Sequence, residues 1–236
     1  MRHYLLVDDN RAFAENLAEI IRDLGDEVTV VDSGIDALAR VRQTRFDAML
    51  TDMRMPVMSG AELVHQTRRA DPGLPALVVT AYIGDEDLSF ARQEGLLAVL
   101  QKPVPVERLL GHLQRARRDG LVVVVEDDLM MADNLSEALC ERGFTSVSAH
   151  SVADTQRLGE LRPFAAVVDL RVPGGPDGEA ARTLRARFPR MPQLVVTAHD
   201  PTAAPPLEGG KLFHKPFDTG ALLAELERLY GQEART

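Results

Sequence analysis

Short apolar runs alternate along the chain with longer stretches in which apolar residues recur every three or four positions. In the first half the apolar runs lie at 4–7, 27–31, 48–51, 76–80 and 98–101. Helical periodicity covers 11–24, 35–43, 61–70, 86–94 and 106–118. Runs that are apolar at nearly every position are typical of strands buried on both faces, and their alternation with helices predicts a parallel α/β sheet.

The second half of the chain repeats the pattern of the first. Val7-Asp8-Asp9 recurs as Val125-Glu126-Asp127 at an offset of 118 residues, and Asp52 recurs as Asp169 at 117. Thr80 recurs as Thr197 and Lys102 as Lys215, at offsets of 117 and 113. One repeated unit in each half predicts two similar α/β domains, at residues 1–119 and 120–236.

The shorter last offset reflects a change late in the second repeat. Between Thr197 and Lys215 the chain contains Pro201, Pro205-Pro206 and Gly209-Gly210. Proline removes a backbone donor and glycine weakens helices, so we expect no regular fourth helix in the second domain.

Charge narrows the range of functions. The net charge is −9, and residues 1–119 carry 15 basic and 19 acidic side chains, which leaves −5 for the second half. Neither half is a basic nucleic-acid-binding module. No apolar run is long enough for a signal sequence or a membrane span, and we expect a cytoplasmic protein that binds neither nucleic acid nor membranes.

Acidic side chains follow two predicted strands of the first domain. Asp8 and Asp9 end the first strand, and Asp52 ends the third. In open α/β sheets, ligands bind beyond the carboxyl ends of the strands, so these carboxylates converge if their strands are neighbours. Carboxylates a few ångströms apart repel each other, and a divalent cation relieves that repulsion. Mg²⁺ favours one or two carboxylates together with waters and substrate phosphate.

A hydroxyl and a lysine complete this candidate site. Thr80 ends the fourth strand and Lys102 ends the fifth. The chain has 27 basic residues but only three lysines, and two of them, Lys102 and Lys215, end the fifth strands of the repeats. A carboxylate nucleophile, a metal, a cation and a hydroxyl donor together suit phosphoryl transfer.

These motifs, in this order and in both halves, resemble the receiver domain of bacterial two-component response regulators. The resemblance implies a flavodoxin-like, doubly wound five-stranded sheet of order 2-1-3-4-5 in each half. It implies that Asp52 accepts a phosphoryl group from a histidine kinase or a histidine phosphotransfer protein. Asp9, Asp52 and the backbone carbonyl of Arg54 would bind Mg²⁺ directly, and Asp8 would act through water. Thr80 and Lys102 would hold the phosphoryl oxygens, with a cis peptide bond between Lys102 and Pro103.

The resemblance extends to the second domain with departures. Its corresponding residues are Asp169 as phosphoacceptor, Glu126, Asp127 and the Arg171 carbonyl around the metal, and Thr197 and Lys215 for the phosphoryl oxygens. The family's aromatic switch residue is replaced by Val99 in the first domain and by Leu212 in the second. The loop after Asp169 is also one residue longer than the loop after Asp52.

The resemblance implies a signalling protein, with no enzymatic activity beyond its own phosphorylation and dephosphorylation. Only six residues follow Tyr230, so we expect no output domain and action by contact with a downstream protein target. A homodimer through the first domain fits this role. The alternatives are the N-terminal part of a larger regulator and a scaffold with a silent second pocket. A haloacid-dehalogenase-type phosphatase needs a carboxylate two residues after the nucleophile, where this chain has Arg54 and Arg171.

Leu129 and Met130 align with Arg11 and Ala12, at the start of the first helix of each repeat. Two interpretations of this apolar pair remain open. Exposed, they would form a docking patch for a histidine-bearing partner. Buried, they would belong to the core.

Overall fold

The computed structural model describes residues 1–81, 86–158, 161–198 and 210–233. The segment expected to lack a fourth helix, 199–209, lies outside the described residues. The chain divides into two compact units. The first comprises Met1–Asp119 with Gly143–Thr145, and the second comprises Gly120–Arg142 with Ser146–Thr236.

The first unit alternates five strands with five helices. The strands are β1 (His3–Val7), β2 (Glu27–Val31), β3 (Ala48–Asp52), β4 (Ala76–Thr80) and β5 (Ala98–Gln101). The helices are α1 (Arg11–Asp23), α2 (Gly34–Gln43), α3 (Gly60–Ala70), α4 (Glu86–Gln93) and α5 (Val106–Arg115). The prediction that the last helix reaches residue 118 is wrong, because the backbone of Ala116 turns to ψ 130°. The other boundaries agree with the predicted ones to within one residue.

The second unit has the same order of strands. Its strands are β6 (Leu121–Val125), β7 (Thr145–Ala149), β8 (Ala165–Asp169), β9 (Gln193–Thr197) and β10 (Lys211–His214). Its described helices are α6 (Leu129–Glu141), α7 (Val152–Gln156), α8 (Glu179–Arg187) and α9 (Thr219–Glu233).

Both sheets have the predicted topology. The strand order is β2-β1-β3-β4-β5 in one sheet and β7-β6-β8-β9-β10 in the other. The fold-class prediction of two flavodoxin-like domains is confirmed. The reversal of strand order lies between β1 and β3 in the first unit, and between β6 and β8 in the second.

Alternate residues of each strand fill two separate cores. Leu5 and Val7 of β1 belong to the cluster under α2, α3 and α4, whereas Tyr4 and Leu6 belong to the cluster under α1 and α5. Successive strand side chains point to opposite faces, so burial on both faces requires the continuous apolar runs seen in the sequence. In the second unit, Val123 and Val125 of β6 fill the core under α7 and α8 in the same way.

Within the part of the chain that the structure describes, no helix is long and apolar enough to cross a membrane.

Candidate functional site

Strand register brings the predicted acidic residues of the first unit together. Val7 of β1 pairs with Thr51 of β3, so the next residues, Asp8 and Asp52, leave neighbouring strands side by side. Lys102 follows Gln101, which pairs with Thr80 at the end of β4. The site therefore lies at the carboxyl edge of the sheet, where strand order reverses.

Lys102 joins the two buried carboxylates of this site. Its Nζ lies 2.5 Å from Asp52 Oδ1 and 3.3 Å from Asp8 Oδ2. Asp8 is only 2% exposed and Asp52 8%. Asp9 is exposed. The remaining oxygens of the two buried carboxylates accept backbone hydrogen bonds, from Asn10 N–H to Asp8 at 2.9 Å and from Arg54 N–H to Asp52 at 2.7 Å.

The second unit has the same arrangement, but its lysine lies close to both buried carboxylates. Lys215 Nζ lies 2.6 Å from Asp169 Oδ2 and 2.7 Å from Glu126 Oε2. Arg171 N–H donates to Asp169 Oδ1 at 3.0 Å, as Arg54 does to Asp52. Glutamate has one methylene more than aspartate, and Glu126 lies closer to Lys215, at 2.7 Å, than Asp8 does to Lys102, at 3.3 Å.

The two units differ in how closely their acidic side chains approach one another. Glu126, Asp127 and Asp169 offer carboxylate oxygens that all lie within 4.8 Å of one another. Among the residues that the structure describes, Asp8, Asp9 and Asp52 do not form such a set. The departures from the family pattern lie in the second domain, yet the second unit has the closer set of carboxylate oxygens.

Backbone contacts fix the other predicted residues. Thr80 and Thr197 are buried at the ends of β4 and β9. Their carbonyls accept hydrogen bonds from the N–H groups of Lys102 and Lys215, each at 2.8 Å. Both lysines precede cis prolines, Pro103 and Pro216, which confirms the cis bond that the resemblance implies for the first unit.

Burial and the charges of the site shift its pKa values. Burial, assisted by the charge of Asp52, raises the pKa of Asp8. Burial likewise raises the pKa of Glu126. Burial lowers the pKa of Lys102, but its hydrogen bond and ion pair with Asp52 outweigh that and leave the pKa raised. Both lysines therefore carry full positive charge at neutral pH, because the pKa of Lys215 is raised in the same way.

The raised pKa of Asp8 predicts that its charge destabilises the fold at neutral pH. A carboxyl whose pKa is higher in the folded than in the unfolded chain favours folding at low pH, and that contribution is lost as pH rises through the folded-state pKa. We expect Asp8→Asn to stabilise the first unit at pH 7 without Mg²⁺ by roughly 1 kcal/mol. The gain should disappear below pH 3.8, the ordinary pKa of an aspartate in an unfolded chain. Hydrogen exchange of first-unit amides at pH 7 and below pH 3.8 measures this gain in stability.

Asp9→Asn is the matched control for this prediction. Asp9 is the next residue and is exposed, so its substitution should change stability by less than about 0.5 kcal/mol. Equal effects of the two substitutions, or a loss of stability in Asp8→Asn, would contradict the assignment of a desolvated charge to Asp8.

The loop after Asp52 contains a strained residue. Val57 has φ 70° and is 93% exposed. A β-branched side chain in this left-handed region clashes with its own backbone, which costs about 1–2 kcal/mol. Glycine adopts this conformation freely, but ordering it costs more backbone entropy. Because relief of the strain is the larger effect, we expect Val57→Gly to stabilise the first unit by about 1 kcal/mol. The free energy of unfolding of Val57→Asn should lie between those of the valine and glycine forms. A destabilising effect of Val57→Gly in urea unfolding would refute the strain.

An aromatic ring lies near the first pocket, and an exposed apolar pair lies near the second. Phe13, which sequence reasoning did not single out, places its ring centroid 5.0 Å from Lys102 Nζ. Leu129 and Met130 are 62% and 74% exposed. The core-packing interpretation of that pair is therefore wrong.

The fold and the site define a class of protein. A five-stranded parallel sheet of order 2-1-3-4-5, with carboxylates and a lysine at its carboxyl edge, is the arrangement of a receiver domain, and both units have it. The family model of the response regulator receiver domain matches residues 4–114.

One relative is similar over the whole chain. A response regulator receiver protein of Anaeromyxobacter sp. (strain Fw109-5) is 60% identical over 237 residues, covering 100% of this chain and 98% of that protein. The transcriptional regulatory protein ZraR of Salmonella typhimurium is 36% identical over 112 residues, 48% of this chain but only 25% of its own length. The chain belongs to the response regulator receiver family.

Each of two similar solved structures covers about half of this chain. The receiver domain of a sensor histidine kinase of Pseudomonas aeruginosa PAO1, solved with a magnesium ion in its active-site cleft, matches with 32% identity and a TM-score of 0.45, covering 48% of this chain and 95% of that one. A CheY-like receiver protein of Methanospirillum hungatei matches with 29% identity and a TM-score of 0.47, covering 48% and 91%.

Proposed function

We propose that the chain is a two-component response regulator in which both units receive phosphoryl groups, on Asp52 and on Asp169, with Mg²⁺ as cofactor. The observation that carries the proposal is the lysine contact: Lys102 Nζ lies 2.5 Å from Asp52, and Lys215 Nζ lies 2.6 Å from Asp169. A fixed cation beside a strand-end carboxylate is placed to bind the oxygens of a phosphoryl group on that carboxylate.

The donor set fits Mg²⁺, which prefers carboxylate oxygens and retained waters. In the second unit, Glu126, Asp127 and Asp169 gather their oxygens within 4.8 Å, and the Arg171 carbonyl would add a further ligand. In the first unit Asp9, Asp52 and the Arg54 carbonyl would hold the ion, with Asp8 acting through water. When bound, the ion neutralises charge on the phosphoryl oxygens.

The protein's own groups perform the transfer. A carboxylate oxygen of Asp52 forms a bond to phosphorus while the P–N bond of a phosphohistidine breaks, and the imidazole nitrogen keeps the electron pair and takes a proton from solvent. Lys102 and the Thr80 hydroxyl hold the phosphoryl oxygens in the resulting acyl phosphate. Water later hydrolyses that bond and returns the carboxylate. The chain needs no further catalytic activity for this role.

The partners follow from this chemistry. The phosphodonor is a histidine kinase or a histidine phosphotransfer protein, and the output is contact with a downstream protein target or a homodimer through the first unit. Leu129 and Met130, exposed at the start of α6, support a docking surface for the donor beside the second pocket. The proposed site of action is the cytoplasm.

Beryllofluoride, an analogue of the phosphoryl group, tests the proposal. Calorimetric titration of the whole chain with beryllofluoride and Mg²⁺ should show two binding events. Asp52→Ala should remove one event and Asp169→Ala the other. Binding that survives both substitutions together would reject the proposed phosphoacceptors, and a titration that Asp169→Ala leaves unchanged would mark the second pocket as silent.

A further inference from the structure

The aromatic ring of Phe13 faces the ammonium group of Lys102 in the first unit. Phe13 is the third residue of α1, and its ring centroid lies 5.0 Å from Lys102 Nζ. A protonated amine at this distance is attracted by the electron-rich face of the ring. Phe13 also packs against the core cluster beneath α1, so the ring is supported from below and has a defined position.

Asn10 links this ring to the buried carboxylates through two hydrogen bonds. Its backbone N–H donates to Asp8 Oδ1 at 2.9 Å, and its side-chain Oδ1 accepts from the N–H of Phe13 at 3.1 Å. The second bond is the N-cap of α1. The start of the helix is thereby fixed relative to Asp8, and Lys102 contacts the ring of Phe13 as well as the carboxylates of Asp8 and Asp52.

The second unit holds its lysine without an aromatic ring at this position. Met131 corresponds to Phe13, and its N–H donates to the cap residue Asp128 at 3.1 Å. Lys215 instead has two close carboxylates, at 2.6 and 2.7 Å, whereas Lys102 has one at 2.5 Å and a second at 3.3 Å. In the first unit the ring takes the place of the second close ion pair.

We propose that Phe13 is a positioning residue that holds the Lys102 ammonium group for phosphoryl transfer in the first unit. This inference rests on the proposed function. When Asp52 becomes an acyl phosphate, negative charge moves outward onto the phosphoryl oxygens and the ammonium group must follow it. The ring face restrains the ammonium group sideways but offers it no competing hydrogen-bond acceptor, so its N–H donors stay available to those oxygens.

Lysine NMR signals test the contact itself, without phosphate or metal. The chain has only three lysines, so the side-chain methylene signals of Lys102 can be assigned from Lys102→Arg. The ring current of Phe13 should shift them upfield. The shift should be lost in Phe13→Leu and kept in Phe13→Tyr, while the Lys215 signals stay unchanged. An unshifted Lys102 in the unsubstituted protein would overturn the inference.

Phosphorylation kinetics test the consequence. In whole-chain Asp169→Ala, with acetyl phosphate and Mg²⁺, Phe13→Leu should lower kcat/KM about fivefold, which corresponds to roughly 1 kcal/mol of cation–π attraction. Phe13→Tyr should stay within about twofold of the parent, because its ring has a similar face. In Lys102→Ala, adding Phe13→Leu should have no further effect, because Phe13 acts through the lysine.

The outcomes separate this inference from the proposed function. If Phe13→Leu slows the reaction equally with and without Lys102, or does not slow it at all, Phe13 does not position the lysine. If the parent Asp169→Ala chain accepts no phosphate, the proposed function fails at Asp52. In that event the positioning role fails with it, and the NMR shift decides only whether the ring contact exists.

Discussion

Asp52→Asn should remove one of the two phosphoryl groups that the chain accepts from acetyl phosphate with Mg²⁺. Asparagine keeps the shape of the side chain and an oxygen that can accept the hydrogen bond from Arg54 N–H, which is 2.7 Å long in the structure. It lacks an anionic oxygen able to attack phosphorus. Intact mass spectrometry should show two additions for the unsubstituted chain and one for Asp52→Asn.

Three further variants complete this experiment. Asp169→Asn should also lose one addition, and the double variant should accept none. Asp23→Asn is the matched control, because Asp23 is exposed at the end of α1 and should leave both additions in place. Two additions in Asp52→Asn would show that another residue is the phosphoacceptor of the first unit.

Gly60→Ala should destabilise the first unit by about 3 kcal/mol, the upper range for overpacking a well-filled site. A Cβ at Gly60 would overlap the backbone oxygen of Asp52 and lie 3.0 Å from Met53 Cα. Gly60 N–H also donates to the Met53 carbonyl at 2.8 Å, so the two backbone segments cannot separate without losing that bond. The displaced segment carries Asp52, and phosphate acceptance by the first unit should fall as well.

Gly111→Ala makes the same chemical change but should have the opposite effect on stability. Gly111 lies inside α5, and the atoms nearest to its added Cβ would belong to the guanidinium of Arg115, with Nη2 at 2.9 Å, the end of a flexible side chain. Alanine in a helix interior should stabilise by about 0.5–1 kcal/mol relative to glycine. Hydrogen exchange read by peptide separates the units, and amides of the second unit should be unaffected by either variant. A tolerated Gly60→Ala would contradict the close approach of α3 to the end of β3.

The fold was predictable because its determinants are periodic. Strands such as β3 and β4 are apolar throughout, since both faces are covered, and serine caps such as Ser33 mark where helices begin: its hydroxyl accepts from Asp36 N–H at 3.2 Å. The strand-end positions of Asp8, Asp52 and Lys102 followed from the same pattern. What the pattern misses is local backbone geometry, such as the turn at Ala116 that ends α5 early.

Distances within the site depend on side-chain rotamers, which no sequence spacing encodes. The longer loop after Asp169 marked the second domain as a departure from the family, yet its pocket has the closer set of acidic oxygens. The ring of Phe13 lies beside Lys102 because α1 and β5 approach in space, 89 residues apart in sequence. The positive φ of Val57 has no signal in the sequence either, since valine rarely adopts it.

Reductive trapping of the phosphorylated chain tests the central claim most directly. Borohydride converts an aspartyl phosphate to homoserine, and peptide mapping then identifies the modified residue. After treatment with acetyl phosphate and Mg²⁺, we expect homoserine at positions 52 and 169. Phosphate carried elsewhere while both positions remain aspartate, or no phosphate uptake at all, would contradict the account.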